Sequence, residues 1–179
     1  MTGRKKIVAI SGSTRKNSAN LSLINALKEL YSHQFEFKIF RDLTAIPHFN
    51  PDLDKDNPPE AVLAFRNEIS EADGILICTP EYAMGVPGTL KNAIDWTVSS
   101  MEFSHKPVAL ITASSAGHKA HLSMMETLKV IESDISNDSQ LLISFVKTKV
   151  KDNEITDKDT LEQVKKLMQS FIQALTKKV

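Results

Sequence analysis

The chain has 179 residues, 25% of them charged and 41% hydrophobic, which is the size and balance of one domain with its own core, residues 1–179. Its 22 basic and 22 acidic residues cancel without a long block of one sign, so no nucleic acid or acidic membrane is expected as a partner. No charged start leads into an apolar signal core and no apolar run reaches the roughly 18 residues of a membrane span, so a cytoplasmic protein is expected.

Ile7 to Ile10 is a short β-branched run and reads as the first strand. It runs directly into Ser11-Gly12-Ser13-Thr14-Arg15-Lys16-Asn17-Ser18-Ala19-Asn20, after which helical spacing begins at Leu21 and continues through Leu23, Leu27 and Leu30. A phosphate is held where hydroxyls and backbone N–H groups converge at a helix N-terminus, and Ser13, Thr14, Ser18 and Asn20 supply such groups. Arg15 adds a planar charged fork suited to phosphate oxygens, and Gly12 lets the backbone turn as it leaves the strand. The spacing is neither a Walker loop nor G-x-G-x-x-G, which argues against nucleotide hydrolysis. The simpler reading makes Ser18 only a helix cap and Arg15 only a solvated charge.

Phe35 to Phe40 reads as the second strand, and the proline-rich stretch Ile46 to Pro59 as an ordered surface loop. A helix with Val62, Phe65 and Ile69 on one face precedes a third strand, Gly74 to Cys78. Cys78 is the only cysteine and reads as a buried strand residue; without a second cysteine or a Cys/His cluster, neither a disulfide framework nor a metal holds this fold. The loop Thr79-Pro80-Glu81-Tyr82-Ala83-Met84-Gly85-Val86-Pro87-Gly88 is stiff and poor in side chains, so its backbone can lie against a flat ring. The helix that follows carries Leu90 and Ile94, with Lys91, Asn92, Asp95 and Trp96 read as helix surface and subunit contact.

Val108 to Thr112 reads as the fourth strand, followed by Ala113-Ser114-Ser115-Ala116-Gly117-His118, with His118 and His121 expected to face solvent at the start of a helix carrying Leu122 and Met125. Leu141 to Val146 reads as the fifth strand. The polar stretch Lys147 to Asp157, with a turn at Asp152-Asn153, is expected to carry no chemistry before a last helix with Leu161, Val164, Met168, Phe171 and Leu175 on one face. Five alternations of strand and helix call for an α/β fold, a parallel sheet in the order 2-1-3-4-5 with helices on both faces. The topological switch then falls between strands one and three, and a ligand belongs to the loops after them, with the loop after strand four as a third wall.

Three stretches together resemble the NADPH-dependent FMN reductase family of flavodoxin-like quinone, azo-dye and chromate reductases: Gly12-Ser13-x-Arg15-x-x-Ser18-x-Asn20, Ile46-Pro47-x-Phe49-Asn50-x-Asp52-Leu53, and Pro80-Glu81-Tyr82 continuing through Pro87-Gly88 to Leu90-Lys91-Asn92-Ala93-Ile94-Asp95-Trp96. The resemblance covers nearly the whole chain. It implies a flavodoxin-like three-layer sandwich in which Ser13, Thr14, Arg15, Ser18 and Asn20 surround the FMN phosphate. Pro80, Glu81, Tyr82, Ala83, Met84, Ser114, Ser115 and Gly117 would then line the ring. It further implies NADPH or NADH as reductant and ping-pong hydride transfer through FMN to a small acceptor such as a quinone, azo compound, metal oxyanion or flavin. A homodimer or homotetramer is implied as well, and no catalytic triad or metal. Such proteins usually carry Asn where this chain has Ala83, and more glycine than the lone Gly117 in the third loop. An electron carrier of the flavodoxin type and a flavin-free binding module of the same fold are the alternatives; the balanced charge speaks against the first.

Overall fold

A computed structural model describes residues 3–176. The β-branched runs form five parallel strands, β1 (Lys5–Ser11), β2 (Phe35–Phe40), β3 (Gly74–Thr79), β4 (Val108–Ala113) and β5 (Gln140–Ile143), in the order β2-β1-β3-β4-β5. Parallel neighbours need helix-sized crossovers, and these are α1 (Ala19–Tyr31), α2 (Glu60–Glu71), α3 (Gly88–Asp95) and α4 (His118–Val130), with α5 (Lys158–Thr176) closing the chain.

Alternation along the strands divides the core. Ile7, Ala9, Leu76, Cys78, Ala109 and Ile111 point to the side covered by α1 and α5, while Val8, Ile10, Ile75, Ile77, Val108 and Leu110 point to α2, α3 and α4. Burial without any compensating partner pushes the Cys78 thiol well above its ordinary value, which suits a packed strand residue. Among the described residues no helix is long and apolar enough to cross a membrane.

The fifth strand ends earlier than its apolar run. Ile143 is its last residue; Phe145 then adopts a left-handed backbone (φ 55°), and a 3-10 turn follows at Val146–Thr148. The amides that would have extended the ladder donate instead to the third loop, Phe145 N to Ser115 O (3.2 Å) and Val146 N to Ser114 O (3.1 Å). The turn at Asp152-Asn153 joins a small hairpin, β6 (Val150–Lys151) and β7 (Glu154–Ile155), whose two turn residues have φ of 48° and 64°.

Trp96 corrects the expectation of a surface helix. It is fully buried; its indole N–H donates to Pro47 O (2.8 Å) and its ring meets Phe49 edge-on at 5.1 Å. Asn92 holds the same loop, donating to Pro47 O (2.9 Å) and accepting from Phe49 N (2.7 Å). The shared Ile46–Leu53 and Leu90–Trp96 stretches are thus two sides of one contact that fixes α3, whose N-terminus adjoins the third-strand loop.

Candidate functional site

The first loop is built on its own hydroxyls. Gly12 sits so close to β3 that a Cβ there would meet Thr79 Oγ1 and lie 2.8 Å from Thr79 Cβ, while its amide donates to Cys78 O (2.8 Å). The Ser11 hydroxyl donates to Ser13 O (3.1 Å), and Ser13 Oγ accepts from Arg15 N (3.4 Å). Ser18 caps α1 by accepting from Leu21 N (3.0 Å), and it lines the cleft as well. Thr14, Arg15, Lys16 and Asn17 are exposed.

The second loop folds into a two-residue hairpin in which Tyr82 and Gly85 exchange both backbone hydrogen bonds at 3.0 Å. Ala83 and Met84 therefore both take left-handed backbones (φ 49° and 59°), which costs roughly 1–2 kcal/mol for each side chain other than glycine or asparagine. The Tyr82 hydroxyl lies 3.3 Å from Ser13 Oγ and joins this loop to the first.

Glu81 points away from its own loop. Its carboxylate accepts from the amides of Gly117 (3.3 Å), Lys119 (2.8 Å) and Ala120 (2.9 Å), and so caps α4 from a neighbouring segment. Its amide donates to Ser114 Oγ (3.2 Å), so one residue ties the second loop to the third at both ends. The Ala120 amide does most to hold the carboxyl below its ordinary 4.5, outweighing partial burial, with help from Gly117, Lys119 and the nearby His118. A carboxyl with a lowered folded value contributes stability above its unfolded value and loses it as pH falls through the folded one. Glu81→Ala is therefore expected to cost about 1–2 kcal/mol at neutral pH. Thermal melts should show the gap between variant and native protein closing as pH falls below the ordinary carboxyl range.

In the third loop Gly117 has φ 99°, and a Cβ there would lie 2.7 Å from Leu142 Cδ1, so glycine is required at the head of α4. His118 is exposed, as expected. His121 is not: it is 8% exposed, with Nδ1 2.8 Å from Thr112 Oγ1 and Nε2 paired with Gln140 Oε1, and burial lowers its pKa despite the Gln140 contact. The helix turns it inward against β4 and β5.

These loops enclose a cleft of about 470 Å³ at the carboxyl ends of β1, β3 and β4, within the range of small-ligand sites. It brings together Ser13, Arg15, Ser18, Asn20, Pro80, Glu81, Tyr82, Ser114 and Ser115. Thr14 faces a smaller hollow beside β2, Ala83 and Met84 stand at the exposed hairpin tip, and Gly117 lies behind the wall. Sequence reasoning missed the fourth side, Phe145, Val146, Lys147 and Thr148. Phe145 is 69% exposed although it lies within an apolar run, and an aromatic residue just beyond the strand next to the third loop was the available signal.

One buried atom in the cleft has no partner. Asn20 is 3% exposed; its Nδ2 donates to Ala113 O (3.1 Å), and its Oδ1 accepts from nothing. The amide therefore keeps one buried acceptor unused beside the cleft, where a polar oxygen without a partner calls for a donor. Ser13, Arg15 and Ser18 meet the first turn of α1 on one side of the cleft, where a helix N-terminus favours an anion.

The family model described as NADPH-dependent FMN reductase matches residues 5–148. The chain is 28% identical over 179 residues to a quinone reductase of Escherichia coli strain K12, covering 96% of this chain and 95% of that protein. It is 34% identical over 144 residues to an NAD(P)H-dependent FMN reductase of Pseudomonas aeruginosa, 78% and 77% of the two chains. A 2-hydroxy-1,4-benzoquinone reductase of a Burkholderia species is 41% identical over 112 residues, and that match spans 60% of its length. Among solved structures, the flavoenzyme NAD(P)H:acceptor oxidoreductase FerB of Paracoccus denitrificans superposes with a TM-score of 0.75 at 25% identity, over 96% and 97% of the two chains. With the fold, the switch-point cleft and a family match over most of its length, the chain belongs to the NADPH-dependent FMN reductase family.

Proposed function

We propose that the protein is a single-domain, cytoplasmic, homodimeric or homotetrameric reductase. It holds FMN in the switch-point cleft and passes reducing equivalents from NADPH or NADH to a small acceptor, a quinone being the first to test. The observation that carries this is the α1 N-terminus in the cleft wall, where Arg15 and Ser18 stand beside Asn20 of the helix's first turn with its unpartnered Oδ1; the phosphate suits the terminus beside Arg15, and a ribityl hydroxyl suits Asn20. When bound, FMN supplies the hydride chemistry.

The chain's own residues bind and orient. Pro80 and the backbone of Glu81 and Tyr82 form one wall for a flat ring, Ser114 and Ser115 another, and Phe145 offers an exposed aromatic face at the mouth. Glu81 acts from behind, since its carboxylate is committed to α4 and holds two walls in register. The charge balance of 22 against 22 supports a small acceptor over a protein docked by charge. One cleft serving reductant and acceptor in turn leads to ping-pong kinetics, read as parallel lines in initial-rate plots. The exposed apolar side chains of Met84, Val98 and Met101 support association of copies.

The test is a visible spectrum after incubation with FMN and desalting, then anaerobic addition of NADPH or NADH. Retained yellow colour that bleaches is the expected result. Colour that persists would turn the reading to an electron carrier, and absence of colour to a binding module. Arg15→Ala is expected to weaken FMN binding by about 1–2 kcal/mol, roughly five- to thirtyfold in Kd by fluorescence titration.

A further inference from the structure

The phosphate end of the cleft is not closed. A second, more polar cleft of about 730 Å³ continues from it, sharing Arg15, Ser18, Ala19 and Lys147 and running between the start of α1 and the β6–β7 hairpin. Four cations line it: Arg15, Lys16, Lys147 and Lys151. None of them forms an ion pair among the described residues, although the chain as a whole is neutral and ten other pairs are present. Glu154 faces Lys151 across the hairpin register without pairing to it, and Asp152 at the hairpin tip is the acidic side chain in the lining. An Asn25 Nδ2 to Asn153 Oδ1 hydrogen bond (3.0 Å) braces the hairpin against α1, so the two walls are held together.

Four unpaired cations in one groove are more than a single FMN phosphate needs, and their field favours a second anion. We propose that this groove binds the phosphoadenosine end of a dinucleotide whose redox end occupies the first cleft. The inference rests on the FMN reading of that cleft. Two dinucleotides carry this chemistry. In FAD the adenylate is joined to the flavin phosphate itself, which places it at the groove entrance; in NADPH the 2′-phosphate marks the adenosine end.

The experiment uses FMN-loaded protein and 2′,5′-ADP as the probe, followed by calorimetry, with Lys16→Ala/Lys151→Ala as the variant because neither side chain lines the first cleft. The native protein is expected to bind the probe, and the double variant to bind it about five- to tenfold more weakly while retaining FMN unchanged. The effect should shrink at high salt. A matching loss of FAD affinity in apoprotein would assign the groove to the cofactor's adenylate; a raised KM for NADPH with that for NADH unchanged would assign it to the reductant. Equal probe binding by both proteins would overturn the proposal. Failure of the native protein to retain FMN would instead overturn the reading beneath it.

Discussion

Asn20→Leu is expected to weaken FMN binding by about 1–3 kcal/mol, roughly five- to 150-fold in Kd, under the proposed function. The reason lies in which end of the amide is left without a partner. Because Nδ2 is spent on Ala113 O at 3.1 Å, Oδ1 is an acceptor in a nearly dry place, and leucine removes the partner of a ligand hydroxyl without opening much space. Riboflavin separates this from a phosphate contact, since it keeps the ribityl hydroxyls and lacks the phosphate. Equal losses for riboflavin and FMN in Asn20→Leu, against a loss for FMN alone in Arg15→Ala, are the expected pattern. A loss confined to FMN in Asn20→Leu would return Asn20 to the phosphate. Ala113 O also loses its donor, so a fall in melting temperature should accompany the binding defect.

Arg66→Met is expected to cost about 3–5 kcal/mol of folding stability, a drop on the order of 10 °C in Tm for a chain of this size. Arg66 is 8% exposed and donates through Nη2 to Asp54 Oδ1 (2.6 Å) and Ser99 Oγ (3.2 Å), and through Nε to Trp96 O (2.8 Å); Glu102 lies 3.9 Å from it. Methionine strands the Asp54 carboxylate, whose side chain is 7% exposed, with only the Ser99 hydroxyl (2.6 Å). Burial acts to raise the Asp54 carboxyl, but Ser99 and Arg66 outweigh it, so it lies below its ordinary 3.8. Its contribution is therefore complete above that value and lost as pH falls below it. Arg66→Met/Asp54→Leu should recover part of the loss in chemical denaturation, because the apolar pair removes the stranded Asp54 charge while Glu102, 11% exposed, keeps its own. A double variant no more stable than the single one would show that the network's value lies in Trp96 O and not in the ion pair.

The sheet order and the position of the cleft were legible because they depend on local periodicity. Short β-branched runs such as Gly74–Thr79 alternate with amphipathic segments, and a parallel sheet of five such units leaves its crevice at the carboxyl ends of β1 and β3. Hydroxyl-rich residues between Ser11 and Asn20 and the stiff segment from Pro80 to Gly88 could thus be assigned to one place from spacing alone. The hairpin turn at Asp152-Asn153 was equally local, since both residue types tolerate a left-handed backbone.

What the sequence by itself determined about this protein is its class, its topology and three of the four segments that surround the cleft. Tertiary structure alone decided where individual side chains point. Glu81 and Tyr82 are neighbours in one loop, yet Glu81 caps α4 while Tyr82 reaches Ser13, and Trp96, read as surface, is core because Pro47 and Phe49 return across α3. His121 is buried by β5, and the strand that buries it stops at Ile143 because the amides of Phe145 and Val146 find carbonyl acceptors in the third loop. Each outcome hangs on a partner distant in sequence, which hydrophobic period and turn propensity do not encode; hydrogen-bond satisfaction in the folded chain selects it.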